Sequence, residues 1–136
     1  MRRGRAGWLL GALALAGCGE LVPNTAPRLV SFNGVALRDL QEPGFWERPP
    51  SGVVVEPGQD FELVVEARDA QGDDIRIWLM AAPAGISLDE VTGEGVWVEP
   101  ELTEIRWLEF VLEDLDAREP RWRQEDIPLF PAAQAP

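Results

Sequence analysis

The stretch Phe61-Glu62-Leu63-Val64-Val65-Glu66-Ala67-Arg68 decides the fold class of this chain. Its odd-numbered residues are all apolar, and its even-numbered residues are mostly charged. Successive side chains of a β-strand point to opposite faces, so this period of two predicts a strand with one buried and one solvated face.

Short segments of the same kind lie on both sides of this strand. Between them are turns rich in Pro, Gly, Asn and Asp, at roughly 8–12-residue spacing. Apart from a short turn around residues 36–42, the chain after the N-terminal segment lacks a helical period. This pattern predicts an all-β fold, a β-sandwich of about seven or eight short strands over residues 27–130. The predicted strands are 29–32, 53–55, 61–68, 75–79, 86–88, 95–98, 105–113 and a weaker 122–130.

The first 17 residues have the pattern of an export signal. Three Arg residues within 1–5 precede an apolar run at 8–16, which is too short to span a bilayer. Leu15-Ala16-Gly17-Cys18 follows and resembles a bacterial lipobox. The resemblance implies cleavage after residue 17 and a lipid on Cys18, the only cysteine of the chain.

The lipid predicts how the mature chain is held and where it resides. Several acyl chains anchor a protein stably to a membrane without a transmembrane helix. Gly19 stands where an Asp would resemble an inner-membrane retention signal, so we expect sorting to the outer membrane of a bacterial envelope. Residues 18–26 are predicted to be a tether, and residues 131–136 a disordered tail.

Composition excludes several classes of function. The chain has no His, and after residue 17 it keeps nine Arg against 24 acidic residues, a net charge of −15. Such a charge repels nucleic acid. Without His, the commonest general base and metal ligand is missing. We therefore expect a non-enzymatic protein that does not bind nucleic acid. The overall interpretation is that it is a monomer.

The order of the turns resembles the bacterial Ig-like and dystroglycan-type cadherin-like modules of surface proteins. The elements are Asn24-Thr25-Ala26-Pro27, Pro57-Gly58-Gln59, Asp69-Ala70-x-Gly72-Asp73, the segment 82–89 and Thr92-Gly93-x-x-x-Trp97. The resemblance covers about residues 24–130. It implies an Ig-like β-sandwich that acts as a spacer, adhesion module or binding module.

A group of Asp residues is the candidate site for a cation. Asp69 and Asp73 lie in one turn, and Asp114 lies at the end of a late strand. Closely spaced carboxylates are ligands that calcium prefers. The resemblance implies that Asp69 matches a calcium ligand of the cadherin family. We expect weak calcium binding at these three residues and no other cofactor. The alternative is that they cap turns and keep loops soluble.

Trp46 and Trp107 are the candidate partner-binding residues. Trp46 lies in an irregular loop, and Trp107 alternates out of phase with the apolar face of its strand. Exposed aromatic residues can anchor an envelope protein or a polysaccharide. The alternative is that Trp46 covers an open edge of the sandwich while Trp107 packs on the outer sheet face.

Together these features predict an outer-membrane lipoprotein with a structural, adhesion or binding role. Two alternatives remain open, an accessory subunit of a secretion or polysaccharide-export assembly and a carbohydrate-binding module.

Overall fold

A computed structural model describes residues 23–116 and 118–132. The predicted signal, Cys18, most of the tether and most of the tail lie outside the described residues. Within the described part, no helix is long and apolar enough to cross a membrane.

The described residues form nine strands and very little helix, so the all-β prediction is confirmed. Two short 3₁₀ segments, Pro43–Trp46 and Ser51–Val53, lie in the irregular connection before the third strand. The other elements are β1 (Arg28–Phe32), β2 (Val35–Ala36), α1 (Leu37–Leu40), β3 (Val54–Val55), β4 (Phe61–Arg68), β5 (Ile75–Leu79), β6 (Ile86–Leu88), β7 (Glu94–Trp97), β8 (Arg106–Asp114) and β9 (Trp122–Pro131).

The strands form two sheets. The first has the order β2-β1-β4-β7-β6, and the second has the order β3-β9-β8-β5. All pairs are antiparallel except β3 and β9, which run parallel. The sequence predicted β9 as a weak last strand, but it is ten residues long and lies inside the second sheet. The Ig-like type of the fold stays a prediction.

Both sheets contribute to one apolar core. Phe32 of the first sheet and Phe110 of the second are fully buried, and their ring centroids lie 5.8 Å apart. Leu63 of β4 is buried with them, as its alternation predicts. Truncating such a Phe to Ala costs about 3–5 kcal/mol, so this contact between the sheets is a large part of the stability.

The turn before β7 ties the two sheets together at one edge. The Val65 N–H of β4 donates to the Gly93 carbonyl at 2.8 Å, and the Ile77 N–H of β5 donates to the Glu90 carbonyl at 2.9 Å. Gly93 has a φ of +74°, and a Cβ there would lie 2.4 Å from the Val65 carbonyl oxygen. Only glycine fits this close approach.

The folded body extends beyond the predicted domain limits at both ends. Asn24 and Thr25 were assigned to the tether, but their side chains form hydrogen bonds to residues of the body. Pro131 was assigned to the tail, but it is buried as the last residue of β9. Both differences arise from partners distant in the sequence.

Candidate metal centre

Two apolar rows that face the core both end in an aspartate at the same end of the fold. The alternation that buries Leu63 and Val65 of β4 continues to Asp69, the first residue after the strand. The alternation that buries Leu112 of β8 continues to Asp114, the last residue of that strand. Both aspartates are buried although they are acidic.

The β4–β5 turn lies beside the end of β8. Ile75, the first residue of β5, is opposite Asp114 in the sheet, and the Leu115 N–H donates to the Asp74 carbonyl at 2.9 Å. This register places a carboxylate oxygen from each of Asp69, Asp73 and Asp114 within 4.8 Å of the others. The structure therefore brings together the three residues proposed from the sequence.

Asp69 divides its two oxygens between a turn and the cluster. Its Oδ1 accepts hydrogen bonds from the N–H groups of Gln71 at 2.9 Å and Asp73 at 3.1 Å. This is the turn-capping role that the sequence left open. Its Oδ2 is buried and has no hydrogen-bond partner, although the residue is only 8% exposed. Turn capping therefore accounts for one oxygen only.

Asp114 organises the connection from β8 to β9. Its Oδ1 accepts from the N–H groups of Asp116 at 3.3 Å and Arg121 at 3.2 Å, and its side chain is fully buried. The connection thus wraps around a buried carboxyl group.

Asn24 is a member of this site that the sequence analysis did not identify. Its Nδ2 donates to Asp114 Oδ2 and to the Glu119 carbonyl, both at 2.7 Å. Its Oδ1 is buried without a partner. Thr25 adds hydrogen bonds from its N–H and hydroxyl to Gln71 Oε1. The only sequence signal was the polar pair Asn24-Thr25 in the stretch that leads to Pro27.

The electrostatics of the cluster favour a cation. Burial raises the pKa of the Asp73 carboxyl above its ordinary 3.8, and nearby carboxylates raise it further, those of Asp69, Asp116, Asp114 and Asp74 in decreasing order. Asp73 Oδ2 is also buried without a partner. Within residues 23–116 and 118–132, none of the aspartates of this cluster forms an ion pair with an arginine.

The dimensions and ligand types of the cluster suit calcium. Calcium binds oxygen at about 2.4 Å, so two oxygens on opposite sides of the ion are about 4.8 Å apart. The three carboxylates meet that limit. The free Oδ1 of Asn24 is of the amide type that calcium also accepts. Asp74 and Asp116 raise the local negative charge without belonging to the three-residue group.

The two candidate aromatic residues lie together at the opposite end of β8. Trp46 is 49% exposed and Trp107 is 47% exposed, and their ring centroids are 5.6 Å apart. Trp46 also contacts the buried Phe130 edge-on at 5.5 Å. Trp46 therefore covers part of β9 and still shows half of its surface. Trp107 and Asp114 are seven positions apart along β8, a distance of about 23 Å.

Comparisons with known proteins do not assign this chain to a family. No protein-family model matches the chain, and no curated protein matches it significantly.

Proposed function

We propose that this chain is a non-catalytic, lipid-anchored module of the bacterial envelope whose fold binds calcium between the β4–β5 turn and the end of β8. The supporting observation is the convergence of Asp69, Asp73 and Asp114 around buried oxygens that have no partner. The lipid anchor follows from the lipobox-like sequence ending at Cys18. The Ig-like type of the fold is part of the same proposal.

Calcium would relieve the cost of the buried oxygens. A buried acceptor without a partner costs about 1–3 kcal/mol, and more when it is charged. Asp69 Oδ2 and Asn24 Oδ1 are two such acceptors, and Asp73 Oδ2 of the same cluster also has no partner. A divalent cation gives all three a ligand bond and compensates their mutual repulsion.

The expected affinity is low. Isolated extracellular sites with few fixed carboxylates have Kd values of about 10⁻⁴–10⁻³ M. Calcium at ten times Kd would stabilise the fold by about 1.4 kcal/mol. For a domain of this size, that corresponds to a rise in Tm of about 5 °C.

Thermal unfolding tests the calcium site. Millimolar calcium should raise Tm, and magnesium at matched ionic strength should raise it less, because magnesium requires a tighter octahedral shell. Asp69→Asn retains an Oδ1 acceptor for the turn and removes the charge, so it should abolish the calcium-specific rise. Equal shifts from both ions, unchanged by the mutation, would leave only general charge screening.

Metabolic labelling with a fatty-acid probe tests the anchor. The wild-type chain should incorporate the probe, and Cys18→Ser should not, because the thiol is the only sulfur that can form the thioether. Equal labelling of both proteins would refute lipidation at this residue.

A partner-binding role is the second candidate, supported by the half-exposed Trp46–Trp107 pair. The partner would be an envelope protein or a polysaccharide. This role includes the accessory-subunit and carbohydrate-binding alternatives, and it is independent of the calcium site.

A further inference from the structure

The outer face of the second sheet contains most of the exposed aromatic surface of the described residues. Trp107 and Trp122 of this face are 47% and 64% exposed, and Met80, which pairs with Glu109, is 58% exposed. By strand alternation, the side chains that face away from the core are those of Arg76, Trp78, Met80, Trp107, Glu109, Val111, Glu113, Trp122, Gln124, Asp126 and Pro128.

Two carboxylates face each other in the middle of this surface. Glu109 of β8 and Asp126 of β9 are directly opposite in the antiparallel register. Such pairs have Cβ atoms about 4.5–5.5 Å apart, and like charges there are destabilising. Gln124 Nε2 donates to Asp126 at 2.9 Å, but in the described part of the chain neither carboxylate forms an ion pair.

An exposed indole lies directly beside this carboxylate pair. Trp107 opposite Pro128 is the next same-face pair along the two strands. Trp46 packs against the Trp107 ring, and this contact limits the motion of the Trp107 indole. A flat apolar ring and two carboxylates are therefore held within one side-chain length of each other.

An arginine of this chain, Arg76, already stacks on an indole of the same face. The guanidinium carbon of Arg76 lies 4.8 Å from the centre of the Trp78 ring, and its Nε donates to Glu90 at 2.7 Å. Arg76 is also opposite Glu113 in the sheet. This arrangement combines stacking on an indole with an ion pair to Glu90 of the turn before β7.

We propose that the outer face of the second sheet binds an arginine-containing segment of a protein partner, with a guanidinium between Glu109 and Asp126 and stacked on Trp107. This proposal rests on the partner-binding role proposed above, and it specifies the type of side chain that the partner contributes. Charge complementarity supports it, since the chain has twice as many acidic as basic residues.

Arginine suits this place better than lysine or a sugar. Its planar guanidinium forms paired hydrogen bonds with carboxylates and stacks on an indole at the same time. A lysine ammonium is a strongly hydrated point charge that lacks this fork. A neutral sugar would use Trp107 for stacking but would not require two facing carboxylates.

Three peptides of identical length test the chemistry of the partner. The probes are Gly-Arg-Gly-Arg-Gly-Arg-Gly, its lysine analogue and its citrulline analogue, titrated against the full protein while indole N–H signals are followed by NMR. We expect the arginine peptide to bind several-fold more tightly than the lysine peptide, and to shift the Trp107 signal. The neutral citrulline peptide should not bind measurably.

Matched charge variants separate a specific site from general attraction. Glu109→Gln with Asp126→Asn should lower the affinity for the arginine peptide by about tenfold. Glu62→Gln with Glu94→Gln removes the same charge from the outer face of the first sheet and should change the affinity by less than about twofold. Glu109→Gln with Asp126→Asn removes the repulsion between the two facing carboxylates, so the Tm of this double variant should not be lower than that of the wild type.

Three results would overturn the inference. The first is equal loss of binding in the two double variants. The second is equal binding of the arginine and citrulline peptides. The third is binding of a neutral hexasaccharide that depends on Trp107 but not on Glu109 or Asp126, which would keep the binding role and assign it to a polysaccharide. Absence of binding by all probes would count against both proposals about this face.

Discussion

The side-chain amide of Asn24 donates a 2.7 Å hydrogen bond to Oδ2 of Asp114, joining residues that are 90 positions apart. Asp114 is fully buried, so its carboxylate depends on such donors for its stability. The start of the folded body is thereby fixed to the end of β8, at the place where the candidate ligands meet.

Asn24→Ala should destabilise the fold by about 1–3 kcal/mol, because it leaves Asp114 Oδ2 without its donor. Urea unfolding at neutral pH would measure the change. Ser31→Ala is a suitable control, because its hydroxyl donates to Glu66 on the exposed surface. A loss no larger than in the control would mean that water replaces the amide.

Asp73→Asn should have opposite effects without and with calcium. In a metal-chelated sample it removes a carboxylate whose pKa is raised by burial and by Asp69, so Tm should rise at neutral pH. With millimolar calcium, the rise of about 5 °C expected for the wild type should fall below about 1 °C. A variant that melts lower than the wild type without calcium would contradict the repulsion.

The stability difference between Asp73→Asn and the wild type, measured without metal, should depend on pH in one direction. Because folding raises the Asp73 pKa above 3.8, the protonated form favours the folded state, and this contribution is complete below pH 3.8. It is lost as the pH rises through the folded-state pKa. The metal-free advantage of Asp73→Asn should therefore grow from pH 4 towards neutrality, as chemical unfolding at a series of pH values would show.

Gly93→Ala should cost well over about 2 kcal/mol, because the new Cβ would lie 2.4 Å from the Val65 carbonyl oxygen in a left-handed backbone. Gly72→Ala is the matched control. Its φ is +78°, but nothing lies within 4 Å of a Cβ there, so only about 1 kcal/mol of backbone strain is expected. Similar losses of unfolding free energy in both variants would exclude a steric role for the turn.

Asp89→Asn should weaken the acid sensitivity of the fold. The N–H groups of Thr92 and Val91 lower the Asp89 pKa below its ordinary 3.8. The ionised form thus contributes stability above pH 3.8 that is lost as the pH falls through the folded-state pKa. Acid titration followed by tryptophan fluorescence should show a shallower loss in the variant. Glu101→Gln, at an exposed carboxylate outside this turn, should leave the profile unchanged.

Local pattern was sufficient to predict most strands. β4 and β6 match their predicted limits, because alternation and flanking turns are local signals. The place of β9 inside the second sheet was not predictable, because its parallel neighbour β3 is distant in the sequence and is chosen by long-range packing. The 3₁₀ segment at Ser51–Val53 replaced part of a predicted strand for the same reason.

The candidate site was predicted in part. Asp69 and Asp73 share one turn, and the alternation in β8 directs Asp114 towards the core, so each position had a local basis. Their meeting depends on the register between β5 and β8. The position of Asn24 had no local basis in the sequence. Its contact with Asp114 depends on how the first residues of the folded body cross the end of the second sheet. The Trp46–Trp107 pair was likewise invisible, since an irregular loop gives no register.

The parallel pairing of β3 with the end of β9 has a consequence for the timing of folding. Among the residues that the structure describes, Val54 and Val55 pair in the sheet only with Phe130 and Pro131, and the neighbouring Leu129 is part of the core. Pairings so distant in sequence form late. If the chain is threaded across a membrane from its N-terminus, the second sheet lacks an interior strand until residue 131 emerges. The polypeptide would then remain unfolded while it crosses the membrane, and it would complete its fold only after its C-terminal strand has crossed.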